Sequence, residues 1–149
     1  MQLALPRTWF ALVLAGLASS CASVPKADKL ADAEAKRFAA RPDKCGLYVY
    51  RDEWMGSAIR MQVDLDGKPL GSTAPRTFLF AWLDPGDHTL VSHAEHDSQL
   101  VIEAKAGTLV YIWQEVKMGL WSANSMLHVR SEDAGQKGVR ECELAETAH

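Results

Sequence analysis

The chain has 149 residues, of which 48% are hydrophobic, and its formal net charge is −3. This length suits one domain with a short extension. A mildly acidic chain lacks the positive charge that nucleic-acid binding requires, so we expect no nucleic-acid partner.

The first 20 residues are typical of a secretory signal. Arg7 precedes an apolar run at Trp9–Leu17, which is too short to cross a bilayer because a spanning helix needs about 20 residues. Small residues then precede Cys21, and this order resembles the lipobox of bacterial lipoproteins, with Ala18 where leucine is usual. The resemblance implies cleavage after residue 20 and acylation of Cys21 with fatty acids such as palmitate. Because Ala22 rather than aspartate follows, it also implies an outer-membrane, periplasm-facing anchor. An ordinary signal peptide with a chance cysteine is the alternative.

Residues 21–43 are predicted to form a tether with a short helix. Asp28 can cap a helix that runs to about Ala40. Leu30 and Phe38 can share one face of it, so we expect docking through Phe38. Disorder of this segment is the alternative.

Residues 44–146 are predicted to form an antiparallel β-sandwich of about seven to eight strands. Side chains alternate in "CGLYVYR" and "AIRMQVDLDG", and "RTFLFAWL" is apolar on both faces, which predicts a central strand. The segments "HTLVSHAE", "QLVIEA", "TLVYIWQEV", "SMLHV" and "RECELA" follow at the short spacing that favours sandwiches and barrels. Ser131 and the acids after it predict one helical turn.

Turn residues recur in a characteristic order along these strands. Asp66-Gly67 is followed by Gly71, an aromatic-rich strand at 78–83, and Pro85-Gly86-Asp87-His88. Together with "YVYR" at 48–51 and "AGTLVYIW" at 106–113, this order resembles PEGA-type and carboxypeptidase-regulatory-like β-sandwich domains. It also resembles an uncharacterised family of small bacterial lipoproteins defined as a domain of unknown function. The resemblance covers about residues 44–145 and implies the fold. The family has no established active site whose residues could be assigned to this chain.

Cys45 and Cys142 form an even pair once Cys21 is acylated. An exported chain meets an oxidising compartment, which favours a disulfide between them on neighbouring strands. Such a bond would close a loop of roughly 100 residues. In the chain-entropy model it would add about 4–5 kcal/mol to the free energy of unfolding. Two buried free thiols are the alternative.

Histidines between residues 88 and 97 raise the question of a metal site. His88 and His93 are five residues apart in a predicted strand, so they point to opposite faces and cannot both bind one ion. His93, Glu95 and His96 could approach one another at the following turn. We expect no metal site, and a site formed by these three residues is the minor alternative.

Two tryptophans lie beside glycine in loop-like stretches: Trp54 in "DEWMGS" and Trp121 in "MGLWSANS". A loop tryptophan either covers the core or forms a recognition patch. We favour the interpretation that they cover the core, and we keep both residues as candidates for recognition.

No catalytic residues are predicted. Ser92 and His93 are adjacent and face opposite sides of a strand, and Asp64 and Asp66 suit an outward strand position and a turn. The sequence contains no nucleophile elbow, metalloprotease helix or phosphate-binding loop, so we expect neither an enzyme nor a cofactor. It therefore predicts a lipid-anchored envelope protein that binds an envelope protein or assists an envelope assembly. The alternative is a periplasmic metal-binding protein that uses the His88–Asp97 hairpin.

Overall fold

The computed structural model describes residues 22–54, 59–118 and 123–148. The predicted signal peptide, Cys21 and Trp121 therefore lie outside the described residues. Within them, no helix is long and apolar enough to cross a membrane. The elements in chain order are α1 Lys29–Ala35, β1 Cys45–Arg51, β2 Met61–Leu65, β3 Lys68–Thr73, β4 Thr77–Leu83, β5 Gly86–Ser92, β6 Ser98–Ala104, β7 Leu109–Met118, β8 Ala123–Arg130, α2 Glu132–Arg140 and β9 Glu143–Leu144.

The strands form two sheets that pack face to face. One sheet has the order β8-β7-β1-β4-β9 and the other the order β3-β2-β5-β6. Both sheets contribute to one buried core, with Leu47 and Ile112 from the first and Val63 and Leu90 from the second. The prediction of a mainly β fold is therefore confirmed.

The prediction of a wholly antiparallel arrangement is wrong. β1 pairs with β4 antiparallel but with β7 parallel, and β4 pairs with β9 parallel. A parallel pair needs a long connection between its strands, and the chain supplies one by building the whole second sheet between β1 and β7.

β1 is the central strand of the larger sheet and is buried on both faces. Leu47 and Val49 point into the core between the sheets. Tyr48 and Tyr50 point to the outer face, where a second apolar cluster lies beneath the helices. The predicted alternation is confirmed, and it separates an aliphatic core from an aromatic one.

α2 covers part of this outer face and is longer than the single turn predicted. A Cβ added at Gly135 would lie 2.2 Å from Cγ of Tyr111, and one added at Gly138 would lie 2.1 Å from Cε2 of Tyr50. The two glycines therefore let the helix backbone rest directly on the tyrosine rings. Glycine lowers helix propensity, which explains why the sequence pattern underestimated this helix.

α1 covers another part of the outer face. The Asp28 carboxylate caps it by accepting two backbone N–H groups at 2.8 and 2.9 Å. The helix ends at Ala35, before the predicted end near residue 40. Leu30 is 84% exposed, whereas Phe38, just after the helix, lies with its ring 5.5 Å from that of Tyr48. The segment therefore packs through Phe38 and not through Leu30.

Most of the predicted tether belongs to the folded body. Val24 is only 7% exposed and packs in the core between the sheets. Lys26 forms a β-bridge with Ala145, near the other end of the chain. The folded structure thus begins three residues after Cys21.

Two strand predictions also need correction. The edge strand β3 was missed because Pro69 and Gly71 lower its strand propensity. The predicted strand "RECELA" is instead the end of α2 followed by the two residues of β9.

Candidate binding groove

A groove of about 310 Å³ lies between α1 and the outer face of β4. It continues into a neighbouring hollow of about 580 Å³ through the shared residues Ala31, Phe80 and Leu144. We call the first part the aromatic groove, and its lining residues are Ala31, Glu34, Ala35, Ala39, Ala40, Arg41, Tyr48, Phe80, Trp82 and Leu144.

The groove exists because α1 is too short to cover β4. Seven helical residues span about 10 Å, whereas seven strand residues span about 23 Å. Phe78 is fully buried, while Phe80 and Trp82, farther along the same face, are only partly buried. The half of the strand beyond α1 therefore leaves a partly exposed aromatic surface.

The floor of the aromatic groove is an array of contacting rings. The Phe80 ring lies 4.7 Å from that of Tyr48 and 5.0 Å, edge to face, from that of Trp82. The Arg41 guanidinium lies 4.4 Å from the Trp82 ring centroid. Such a surface suits apolar side chains, and its ring faces also attract cations.

Two hydrogen bonds fix the helical wall of the groove. The hydroxyl of Tyr48 donates to the carbonyl oxygen of Ala35 at 2.7 Å, and the Asp32 carboxylate accepts the backbone N–H of Leu144 at 2.8 Å. Burial raises the pKa of Tyr48, so its hydroxyl stays protonated and available to donate. The wall is thus positioned by the strands on which it rests.

His88 connects two turns at one end of the second sheet. Its Nδ1 lies 2.6 Å from a carboxylate oxygen of Asp66, and its Nε2 lies 2.8 Å from the carbonyl oxygen of Asp84. Both ring nitrogens face acceptors, which favours the protonated ring, and the hydrogen bond to Asp66 raises the pKa of His88. The Thr89 N–H and then His88 lower the pKa of Asp66. His88 therefore has a structural role.

His93 lies between two carboxylates. Its Nε2 is 3.0 Å from Asp64 and its Nδ1 is 3.1 Å from Asp97, and the hydrogen bond to Asp64 raises the pKa of His93. Because the carboxylates flank opposite ring nitrogens, His93 and both acids cannot converge on a single ion.

The other two residues of the predicted group, Glu95 and His96, lie at the turn after β5. Nδ1 of His96 lies 3.3 Å from Oδ1 of Asn124, and Glu95 is exposed. Over the described residues, no three histidine, cysteine, aspartate or glutamate side chains are grouped so as to hold a metal ion.

The predicted disulfide is contradicted by the structure. Cys45 begins β1, whereas the Cys142 thiol donates to the carbonyl oxygen of Arg51 at 3.4 Å, at the other end of β1. Six strand residues span about 20 Å, far beyond the roughly 7 Å limit for a disulfide. The cysteines also belong to different cores. Both thiols are free and buried, and burial raises the pKa of Cys142 to about 12.

Trp54 does not cover the core. It is 67% exposed, and its ring lies 5.6 Å from the Arg76 guanidinium. Its role in recognition stays a prediction.

Ser92 belongs to a buried polar network that the sequence did not reveal. Its Oγ lies 2.6 Å from Oγ of Ser125 and accepts a hydrogen bond of 2.6 Å from Gln114, which also bonds with Thr73. All four side chains are buried, and their strands belong to both sheets. Polar residues in alternating strands are usually read as solvent-facing, so only the tertiary structure shows that this network connects the two sheets.

Comparison with known proteins assigns a family. Residues 41–127 match the family described as "Protein of unknown function (DUF2846)". The chain belongs to this family. It is also 33% identical over 132 residues to an uncharacterized protein of Haemophilus influenzae, an alignment covering 87% of this chain and 78% of that relative. No solved structure matches the chain. The DUF2846 match includes the aromatic floor of the groove, on β1 and β4, and excludes α1 and α2.

Proposed function

We propose that this DUF2846 protein is a lipid-anchored, non-catalytic binding protein of the bacterial envelope. It is held at the outer membrane through acylated Cys21, faces the periplasm, and binds an apolar segment of an envelope protein in the aromatic groove. The lipobox-like sequence supports the anchor. The turn motifs support a place among PEGA-like sandwich domains. The groove supports the binding role.

The observation that carries the binding proposal is the partly exposed aromatic floor. Phe80 and Trp82 are presented by a strand within the five-stranded sheet, and four of the other lining residues are alanines. Rigid aromatic surface with small neighbours can bury apolar side chains at little cost in conformational entropy. A short apolar segment is therefore the partner chemistry that the groove fits best.

The charged lining residues favour binding over catalysis. Glu34 pairs with Arg37 at 3.1 Å on the exposed side of α1, and Arg41 rests on the Trp82 ring. Neither is held against a buried acid or base, as a tuned catalytic pair would be.

Site-directed photocrosslinking in intact cells tests the binding proposal. A photoreactive amino acid at Ala39, an exposed lining residue, should give one dominant protein adduct. The same probe at Val101, on the four-stranded sheet and 57% exposed, is the matched control and should not give that adduct.

A blocking variant makes the test specific for the groove. Ala40 is exposed and lines the groove, so Ala40→Glu should place a charge there without disturbing the core. It should reduce the adduct at least fivefold, whereas Val101→Glu should leave it unchanged. An adduct of equal yield from both probe positions, or one insensitive to Ala40→Glu, would refute the groove as the binding site.

Acylation is tested separately. Cys21→Ser should abolish incorporation of labelled palmitate and release the protein from the membrane fraction or leave it unprocessed. A variant of unchanged mass that stays in the membrane fraction would refute the anchor.

A further inference from the structure

Residues 24–27 form part of the folded domain. Val24 is 7% exposed within the core between the sheets. The carbonyl oxygen of Pro25 accepts the N–H of Glu146 at 2.9 Å, and the N–H of Ala27 donates to the carbonyl oxygen of Leu144 at 2.9 Å. Residues 24–27 thus form the outermost strand-like segment beside β9.

The chain between the acylation site and this segment is very short. Only Ala22 and Ser23 separate Cys21 from Val24. Three residue steps span at most about 11 Å. A domain of this size has a radius of gyration of about 14 Å. The connection is therefore shorter than the body it would hold, so the domain cannot rotate freely above a bilayer.

We propose that the lipid anchor holds the domain directly against the membrane in one orientation, with the edge formed by residues 24–27, residues 145–148 and β3 facing the lipid headgroups. The Ala148 N–H donates to Leu70 at 2.8 Å, and Thr147 forms a bridge with Gly71, so these three segments make one continuous edge. This inference rests on the proposed acylation of Cys21 and adds the surface that meets the lipid.

The same geometry places the binding groove beside the membrane. Ala27, only three residues from Val24, lines the hollow that continues the aromatic groove. The far edge of the five-stranded sheet is β8, which lies about 24 Å away if adjacent strands are about 4.8 Å apart. An oriented domain therefore presents two edges at clearly different heights above the bilayer.

Spin labels at the two edges test the orientation. Lys68 on β3 is exposed, and Val129 on β8 is 61% exposed, so Lys68→Cys and Val129→Cys each provide one reactive site. The native Cys45 and Cys142 are 0% and 2% exposed, so they should not react in the folded protein. The acylated full-length mature protein is purified and placed in phosphatidylethanolamine–phosphatidylglycerol vesicles that contain a nickel-chelating lipid.

The expected result is at least threefold stronger relaxation by the lipid-bound nickel at position 68 than at position 129. Inserting a 20-residue glycine–serine linker between Ser23 and Val24 should remove the difference and leave the fold unchanged. Equal relaxation at both positions without the linker, or stronger relaxation at 129, would overturn the proposed orientation. Failure of palmitate incorporation would instead overturn the anchor, so the two failures are distinguishable.

Discussion

Replacing Gly138 by alanine adds one methyl group, which raises helix propensity but also overpacks the contact between α2 and Tyr50. In an exposed helix the change stabilises by about 1 kcal/mol. Here the new Cβ would lie 2.1 Å from Cε2 of Tyr50, whereas ordinary contacts begin at 3.4 Å, so the ring or the helix must move by about 1.3 Å. Tyr50 is 2% exposed and has little room to move. Overpacking of this kind costs about 1–3 kcal/mol.

Because the clash is severe, we take the upper end of that range and expect a net loss of about 2 kcal/mol in the free energy of unfolding. For a domain of this size this corresponds to a fall of about 8 °C in Tm. Urea unfolding followed by circular dichroism measures the first quantity, and a thermal scan measures the second.

Two controls isolate the contact with Tyr50. Lys137→Ala changes an exposed neighbour in the same helix and should alter stability by less than about 0.5 kcal/mol. In a Tyr50→Ala background the clash is gone, so Gly138→Ala should become neutral or stabilising. Gly138→Ala that is as stable as the unmodified protein, or more stable, would refute the close packing of α2.

Three further predictions follow from the polar and thiol groups. Because Asp66 raises the pKa of His88 above its usual 6.5, the pair stabilises the fold below that pH, and this contribution is lost as pH rises through the folded-state pKa. His88→Phe should therefore lower the free energy of unfolding by up to about 1 kcal/mol more at pH 5.5 than at pH 9. A loss of stability in thermal unfolding that does not depend on pH would contradict this. Cys45 and Cys142 should resist iodoacetamide in the native protein and both react after denaturation without reductant, whereas a linked pair in non-reducing mass spectrometry would count against the structure. Gln114→Leu leaves its buried hydrogen-bond partners unpaired and should lower the free energy of unfolding in urea by about 1–3 kcal/mol. A neutral effect would show that the network adds no stability.

The sequence pattern was most informative where each strand has two distinct faces. Alternation correctly placed Leu47 and Val49 opposite Tyr48 and Tyr50, because side chains in a strand point to opposite sides. The pattern could not show that both faces of β1 are covered, since that depends on which later segments pack against it. The parallel β1–β7 pair was unpredictable for the same reason.

The candidate site was less accessible to prediction than the fold. Alternation along "RTFLFAWL" places Phe80 and Trp82 on one face of a strand. Their incomplete coverage, however, follows from the short length of α1, which the composition of residues 29–40 does not define. The disulfide prediction depends on the even number of cysteines and on the oxidising compartment expected for an exported chain. Neither argument contains information about the distance between the two residues. Only the tertiary structure places Cys45 and Cys142 at opposite ends of β1.

The C-terminal residues have a consequence for how this chain folds. Ala145, Glu146 and Ala148 donate backbone hydrogen bonds to three segments made long before them, at Phe78, Pro25 and Leu70 respectively. Contacts so distant in sequence form slowly because a large loop must close first. Neither sheet has all its hydrogen-bond partners until residues 145–148 have been synthesised. A chain truncated there exposes unpaired strand edges, which promote aggregation. Loss of residues 145–148 should therefore lower the yield of folded protein and increase aggregation.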